Sequence, residues 1–255
     1  MSSRDVRRKY GQNYLKDPAI LFEMGEVISP NDSDNFIEIG PGTGALTNQI
    51  NKKNINITAV DIDASNIEIL RSKFRGPANF HFINEDILKF RLEDSASNQR
   101  IIGNLPYNIS TQIILKLIDN YQEIIDMHFL VQKEVAQKIT GRVASKHWGK
   151  LAIKISAFFN SEILFDVPPE AFDIKPKVNS SFIRLFPKKD LDYDLSIKDN
   201  LYKIIDLAFC SKRKNIKNNL KKLNIDWDKA NIDPTKRSEE IPLTDFINLA
   251  KEYLA

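Results

Sequence analysis

The sequence predicts an α/β fold followed by a smaller helical part, and three observations carry that prediction. Short apolar runs that read as strands alternate with segments of helical periodicity. Four of those runs end at, or one turn before, a residue suited to holding a ligand: Gly40, Asp61, Asp86 and Asn104. Beyond a charged linker over 187–196 the strand pattern stops and only helical periodicity continues. The expected organisation is two domains, 1–187 and 188–255.

Composition narrows the class. A chain of 255 residues with 42% hydrophobic content can bury a sizeable core. No run reaches the roughly 18 apolar residues that read as a membrane span. Met1-Ser2-Ser3-Arg4 lacks the apolar block of a signal peptide. Cys210 is the single cysteine, so no disulfide can form within the chain, and a reducing cytoplasm is the expected setting. His81, His128 and His147 lie far apart and no Cys/His cluster exists, so no metal is expected. The net charge of +3 is too small to argue from, and the distribution of charge matters more.

Taken in order, Arg7, Arg8 and Lys9 belong to a basic opening, followed by the amide-rich Tyr10-Gly11-Gln12-Asn13-Tyr14-Leu15. Asp17-Pro18 is an N-cap with proline at the first helical position, and the helix runs to Ile28. Asn35 to Ile39 is a strand that enters Gly40-Pro41-Gly42-Thr43-Gly44 and then a helix from Ala45. A strand, a glycine turn and a helix start form a ligand cradle, because glycine lets backbone approach a ligand closely. The spacing is G-x-G-x-G rather than the G-x-G-x-x-G of dinucleotide folds, which counts against NAD.

Ile57 to Asp61 is the second strand. Its terminal acid falls about 20 residues after the glycines, where a carboxylate holds ribose hydroxyls. Asp63 reads as the cap of the next helix. Phe80 to Asn84 is the third strand, with His81 read as a packed strand histidine. Asp86 beyond it is an acceptor suited to the amino group of an adenine. Ile101-Ile102-Gly103 ends a fourth strand at Asn104-Leu105-Pro106-Tyr107, before a helix over Ser110–Asp119. Asn104 offers a side-chain acceptor and Leu105 a backbone carbonyl. Pro106 stiffens the backbone and Tyr107 supplies an aromatic face. Two acceptors and a flat ring suit an exocyclic amine on a planar base, a poor nucleophile whose lone pair is delocalised into the ring. Acceptors on both hydrogens would raise its electron density and let it attack an electrophilic methyl group. Four such strand ends on one edge of a sheet point to a nucleoside-type cofactor site.

Met127 to Val131 is a strand, Gln132 to Val135 a charged helix, and 141–149 a loop in which Trp148 reads as core. Leu151 to Phe159 reads as helical and Ile163 to Phe165 as a strand. Phe172 sits in a proline-stiffened loop, where it either stacks on an extruded base together with Tyr107 or plugs the core beneath the loop. Ser180 to Phe186 closes the sheet. Leu201, Ile204, Ile205, Ala208 and Phe209 fall on one helical stripe. Residues 211–222 contain no acid, and Lys212, Arg213, Lys214 and Lys217 are expected to point outward from a helix held by Ile216, Leu220 and Leu223, as a phosphate-binding face. Leu243 to Leu254 reads as a closing helix.

The chain resembles the KsgA group of small-subunit rRNA adenine dimethyltransferases nearly end to end. The resemblance rests on Tyr10–Leu15, Glu38–Gly42, Gly103–Ser110, Leu130–Val135, Val167–Phe172 and Ala208–Lys214. It implies a Rossmann-like, seven-stranded, S-adenosylmethionine-dependent methyltransferase sheet with a small C-terminal all-α, RNA-binding domain. It implies dimethylation of two adjacent adenines near the 3′ end of 16S rRNA, on a small-subunit precursor; nothing in the sequence requires a dimer, and a monomer is expected. Asn13 and Leu15 would contact S-adenosylmethionine, Gly40 would admit its methionine part, Asp61 would bind its ribose and Asp86 its adenine. Asn104 would border both cofactor and target amine, and Tyr107 and Phe172 would sandwich the target base. Asp61 stands where many members carry Glu. The rivals are an Erm-type 23S rRNA methyltransferase and a ribosome-assembly factor that binds RNA with catalysis secondary.

Overall fold

The computed structural model describes residues 13–52, 54–75, 79–92 and 98–253. Helix α1 (Pro18–Ile28) starts as the sequence predicts. The Asp17 carboxylate accepts from the amides of Ala19 and Ile20 at 2.9 and 3.2 Å, and Pro18 occupies the first turn. Seven strands follow: β1 (Asn35–Ile39), β2 (Asn56–Asp61), β3 (Phe80–Asn84), β4 (Gln99–Asn104), β5 (Ile124–Gln132), β6 (Phe159–Val167) and β7 (Ser180–Pro187). Between them lie α2 (Ala45–Ile50), α3 (Ala64–Lys73), α4 (Ser110–Leu117), α5 (Lys133–Ile139) and α6 (Lys150–Ser156). Asp63 caps α3 through the amide of Ser65 at 3.0 Å, the role its position predicts.

The strands form one mixed sheet in the order β3-β2-β1-β4-β5-β7-β6. Strands β1 to β5 are parallel, and β7 runs antiparallel to β5. The chain leaves β1 toward β2 on one side and returns through β4 on the other, so β1 and β4 flank the switch point. In open α/β sheets the crevice at the carboxyl ends there is where ligands bind. The central strands are buried on both faces, as parallel strands between helices must be: Phe36, Ile37, Ile39, Ile101 and Ile102 are all core. On β3, Phe80 packs edge to face with both Phe74 and Phe82. His81, expected to be packed, is exposed instead, because β3 is an edge strand.

The amino end of the sheet is fastened by Arg100. Its guanidinium donates to both carboxylate oxygens of Asp126, to Asp34, and to the carbonyls of Ile28 and Ser29 at the end of α1. Five donors make five bonds, so the buried cation is fully satisfied. His128, two residues along β5, stacks on Phe182 with neither ring nitrogen bonded to a described residue. Burial holds its pKa down at about 4.

The chain divides into two compact units. One holds the described residues through Ala136 together with Ser161–Pro187, and the other Gln137–Asn160 together with the described residues from Lys188. The sequence reading put the boundary at 187/188, whereas 137–160 groups with the helical part. In that unit α7 (Lys198–Ala208) buries Leu201, Ile204, Ile205 and Ala208 as the stripe predicts, and packs on α10 (Leu243–Tyr253). Trp148 is core, and its indole donates to the Ile241 carbonyl at 2.8 Å.

Two element assignments change. The helix expected over Leu151–Phe159 stops at Ser156, and Phe159 opens β6; aromatic, strand-favouring residues there pair with β7 rather than extend α6. The basic stretch is not one helix. Only α8 (Ile216–Asn219) is helical, followed after a loop by α9 (Trp227–Ala230). Asparagines compete with helix by bonding nearby backbone: Asn215 caps through the Asn218 amide, and Asn219 donates to the Ala208 and Ser211 carbonyls. Ile216 and Leu220 remain buried as predicted.

Candidate active site

The first wall is the glycine turn after β1. Gly40 and Gly42 have φ of +64° and +56°, a region only glycine enters freely. A Cβ on Gly42 would also lie 2.8 Å from the Tyr14 ring. Lys73 closes the turn from outside, donating to the Thr43 and Gly44 carbonyls at 3.2 Å. Beneath it Glu38 is fully buried, and Thr47 Oγ1 donates to its carboxylate at 2.6 Å. Burial outweighs that bond and pushes the Glu38 pKa up to about 7.

Asp61, at the end of β2, is buried and held from three directions. Its Oδ2 accepts from the Gly42 amide at 3.2 Å and Asn66 Nδ2 at 2.9 Å, and its Oδ1 accepts from the Asp63 amide at 2.9 Å. Burial nevertheless raises its pKa. A carboxylate offers about four acceptor positions, so one stays available on the Oδ1 side. The sequence reading missed two members of this network. The Tyr14 hydroxyl donates to Asn66 Oδ1 at 3.0 Å, which turns the Asn66 amide toward Asp61. Only the tyrosine-flanked 10–15 segment gave a signal for Tyr14, and Asn66 gave none.

Asp86 belongs to a tight turn after β3. Its side chain accepts from the Leu88 amide at 2.9 Å, and its carbonyl accepts from the amides of Lys89 and Phe90. Lys116 of α4 clamps that turn by donating to the carbonyls of Ile87 and Phe90 at 2.9 and 2.6 Å. Ile62 and Ile87 give the neighbouring wall an apolar surface.

Asn104 ends β4 beside the glycine turn; a Cβ on Gly40 would sit 3.9 Å from its carbonyl. Asn104 Nδ2 donates to the Asn13 carbonyl at 2.6 Å. A carbonyl can only accept, so this bond fixes which way the amide faces and leaves Oδ1 as the acceptor. The Leu105 amide is used by the Leu130 carbonyl and the Pro106 carbonyl by the Ile109 amide, which pins the loop on both sides. The Tyr107 hydroxyl lies 2.5 Å from Ser180 Oγ at the start of β7. Burial raises the Tyr107 pKa against that bond.

One cavity joins these parts. Asn13, Gly40, Gly42, Asp61, Asp86 and Asn104 all line it, and so do Leu105 and Pro106. Tyr107 is half-buried beside them. Two expected residues are elsewhere. Leu15 and Phe172 pair as an isolated bridge and sit in the same buried apolar cluster, Phe172 with no exposed surface. Of the two readings the sequence left open for Phe172, this structure shows the plug beneath its loop, with no ring face exposed to a base. Leu15 is likewise a core residue and does not line the cavity. Arg7, Arg8 and Lys9 lie outside the described residues. Lys212, Arg213, Lys214 and Lys217 are all exposed, in the helical unit. Among the described residues no group of His, Cys, Asp or Glu could hold a metal ion, and no helix is long and apolar enough to cross a membrane.

The model of the family described as ribosomal RNA adenine dimethylase matches residues 3–254. The chain belongs to the ribosomal RNA adenine dimethylase family. Among curated relatives, "Ribosomal RNA small subunit methyltransferase A" of Saccharophagus degradans is 37% identical over 98% of this chain and 95% of its own length. The protein of that name from Wigglesworthia glossinidia brevipalpis is 39% identical over 97% of each chain. In fold, the chain is similar to a dimethyladenosine transferase from Plasmodium falciparum (TM-score 0.80, 22% identity, 94% of this chain and 99% of that one). It is also similar to the 23S rRNA methyltransferase ErmE (TM-score 0.74, 22% identity, 94% and 98%). Both likenesses extend over the sheet and the helical part of this chain.

Proposed function

We propose that this chain dimethylates the N6 amines of two adjacent adenines near the 3′ end of 16S rRNA, using S-adenosylmethionine, during assembly of the small ribosomal subunit in the cytoplasm. The observation that carries the reading is the Asn104 amide, oriented by Asn13 so that an acceptor is presented at the edge of the cavity.

The residues present fit an adenosine-bearing cofactor. The glycine cradle admits backbone approach, Asp61 keeps an acceptor position for a hydroxyl, Asp86 keeps one for an amine, and Ile62 and Ile87 offer apolar surface to a flat base. Bound there, S-adenosylmethionine supplies a methyl group made electrophilic by its sulfonium. The rest is the work of the chain. Asn104 Oδ1 and the Leu105 carbonyl would accept from the two hydrogens of the target amine. That raises electron density on nitrogen and favours its tetrahedral form. Pro106 keeps the two acceptors in fixed relation, and Tyr107, anchored at Ser180, offers its ring to the base. Positioning and polarisation carry the rate. No strong base is required, because the amine becomes acidic only after the methyl arrives. Lys212, Arg213, Lys214 and Lys217 would contact RNA phosphates.

The test is incubation with labelled S-adenosylmethionine and a mixture of unmethylated small-subunit and large-subunit RNA particles, followed by mass analysis of the separated, digested RNAs. Two dimethylated adenines are the expected product. Label confined to large-subunit RNA would replace this reading with the Erm-type one.

A further inference from the structure

The helical unit holds a cavity of its own, of about 360 Å³. Its floor is apolar and aromatic: Leu151, Ala152, Trp148 and Phe209, the last packed on Phe246 with ring centroids 6.1 Å apart. Lysines line it as well, namely Lys138, Lys146, Lys150 and Lys212, all exposed, with Glu239 as the one acid. Lys150 shares its charge with Asp206 at 3.1 Å.

The loop that forms one side is built, not slack. Ser145 ties it together: its hydroxyl accepts from the amides of Arg142 and His147, and its carbonyl accepts from the Trp148 amide. The Ala144 amide donates to the Glu239 carbonyl, and the Trp148 indole to that of Ile241. Gly141 is required for the closure, since a Cβ there would run into the His147 carbonyl.

A cavity lined by both apolar or aromatic residues and lysines matches one kind of ligand better than others. A free inorganic anion has no use for the floor. A nucleotide uses both: its base has a flat apolar face and its phosphates need cations. We propose that this cavity docks an unpaired nucleotide of the substrate RNA, base on the Phe209–Leu151 floor and flanking phosphates on Lys138, Lys146 and Lys212. The proposal rests on the reading that the substrate is small-subunit rRNA. It adds the 138–152 segment to the contact surface, a segment outside the basic 211–222 stretch.

The experiment is filter binding of in vitro transcribed small-subunit rRNA across a potassium chloride series. Wild type is compared with Lys138→Ala/Lys146→Ala, with S-adenosylmethionine binding as the control for folding. Each phosphate contact on single-stranded RNA contributes about 0.7 to the slope of log affinity on log salt. Losing two should reduce the slope by about 1.4 and weaken binding about tenfold near 0.1 M salt. Ultraviolet crosslinking of the wild-type complex is the second readout, and a nucleotide adduct between Lys146 and Ala152 or on Phe209 is expected. An unchanged slope in a folded variant, or crosslinks only elsewhere, overturns the proposal. Wild type that binds and methylates the RNA while the variant behaves identically sinks this inference alone. Wild type that does neither sinks the functional reading with it.

Discussion

The two ends of one sheet use polar side chains in opposite ways. At the amino end, every donor of Arg100 is taken by Asp34, Asp126 and the last carbonyls of α1. At the carboxyl end, Asp61, Asp86 and Asn104 are each held by part of their bonding capacity and keep an acceptor in reserve at the cavity. Saturation makes a fastening; held but unsaturated acceptors make a binding site. Both ends are needed, since the second works only if its groups cannot rotate away.

The largest expected effect lies at the saturated end. Arg100→Met takes the two-point partner from the buried Asp126, which keeps a longer contact to Arg184 at 3.6 Å, and should cost about 3–5 kcal/mol of stability. A urea melt reads this, and kcat of the folded protein should change little. A fall in kcat that matches the loss of stability would blur the contrast between the ends. Next, Asn104→Ala should lower methyl transfer by roughly 10²–10³-fold, the scale seen when one preorganised polar group is removed from a reacting centre. Its melting temperature should stay near wild type, and full activity in this variant would remove Asn104 from the chemistry.

Much of this contrast was legible in the sequence, for a physical reason. A strand end followed by glycine, acid or amide is a local pattern, so Gly40, Asp61, Asp86 and Asn104 could be named without a fold. Arg100 gave no signal, because its acid partners lie 66 and 26 residues away and only the sheet brings them together. The two aromatics show the same limit. Tyr107 and Phe172 looked alike as loop residues, yet one is tied to Ser180 beside the cavity and the other is core. Leu15 shares the core cluster with Phe172, its partner in the bridge. The basic stretch was legible in charge but not in shape, since the bonds of Asn215 and Asn219 break the helix that the apolar spacing suggested.

Asp61→Ala sharpens the comparison at the unsaturated end. It removes the reserved acceptor and leaves the Gly42 amide and Asn66 without their partner. Affinity for S-adenosylmethionine by calorimetry should fall about ten- to a hundredfold, or roughly 1.4–2.8 kcal/mol.

The buried titrating groups predict a pH signature. The Glu38 pKa is raised from 4.5 to about 7, so the folded state holds an extra proton in that window and stability falls as pH climbs through it. The His128 pKa is lowered from 6.5 to about 4, so the unfolded state holds the extra proton and stability rises with pH between those values. From 4.5 to 6.5 the two slopes oppose each other. Glu38→Gln removes one, and its stability should rise with pH by up to about 1.4 kcal/mol per unit more steeply than wild type. Parallel pH profiles for variant and wild type would show that Glu38 ionises normally. The smallest effect is expected for Tyr107→Phe, which keeps the ring and loses the Ser180 bond, worth about 0.5–1.5 kcal/mol. Turnover should drop a few-fold, and a drop as large as that of Asn104→Ala would give the hydroxyl a part in the chemistry.

The most direct test maps methylated adenines by mass in small-subunit rRNA from cells lacking this protein, restored with wild type or with Asn104→Ala. Two adjacent dimethylated adenines near the 3′ end that return with wild type alone are the predicted result. The same pair appearing with both, or with neither, would contradict the assignment of methyl transfer to this rim.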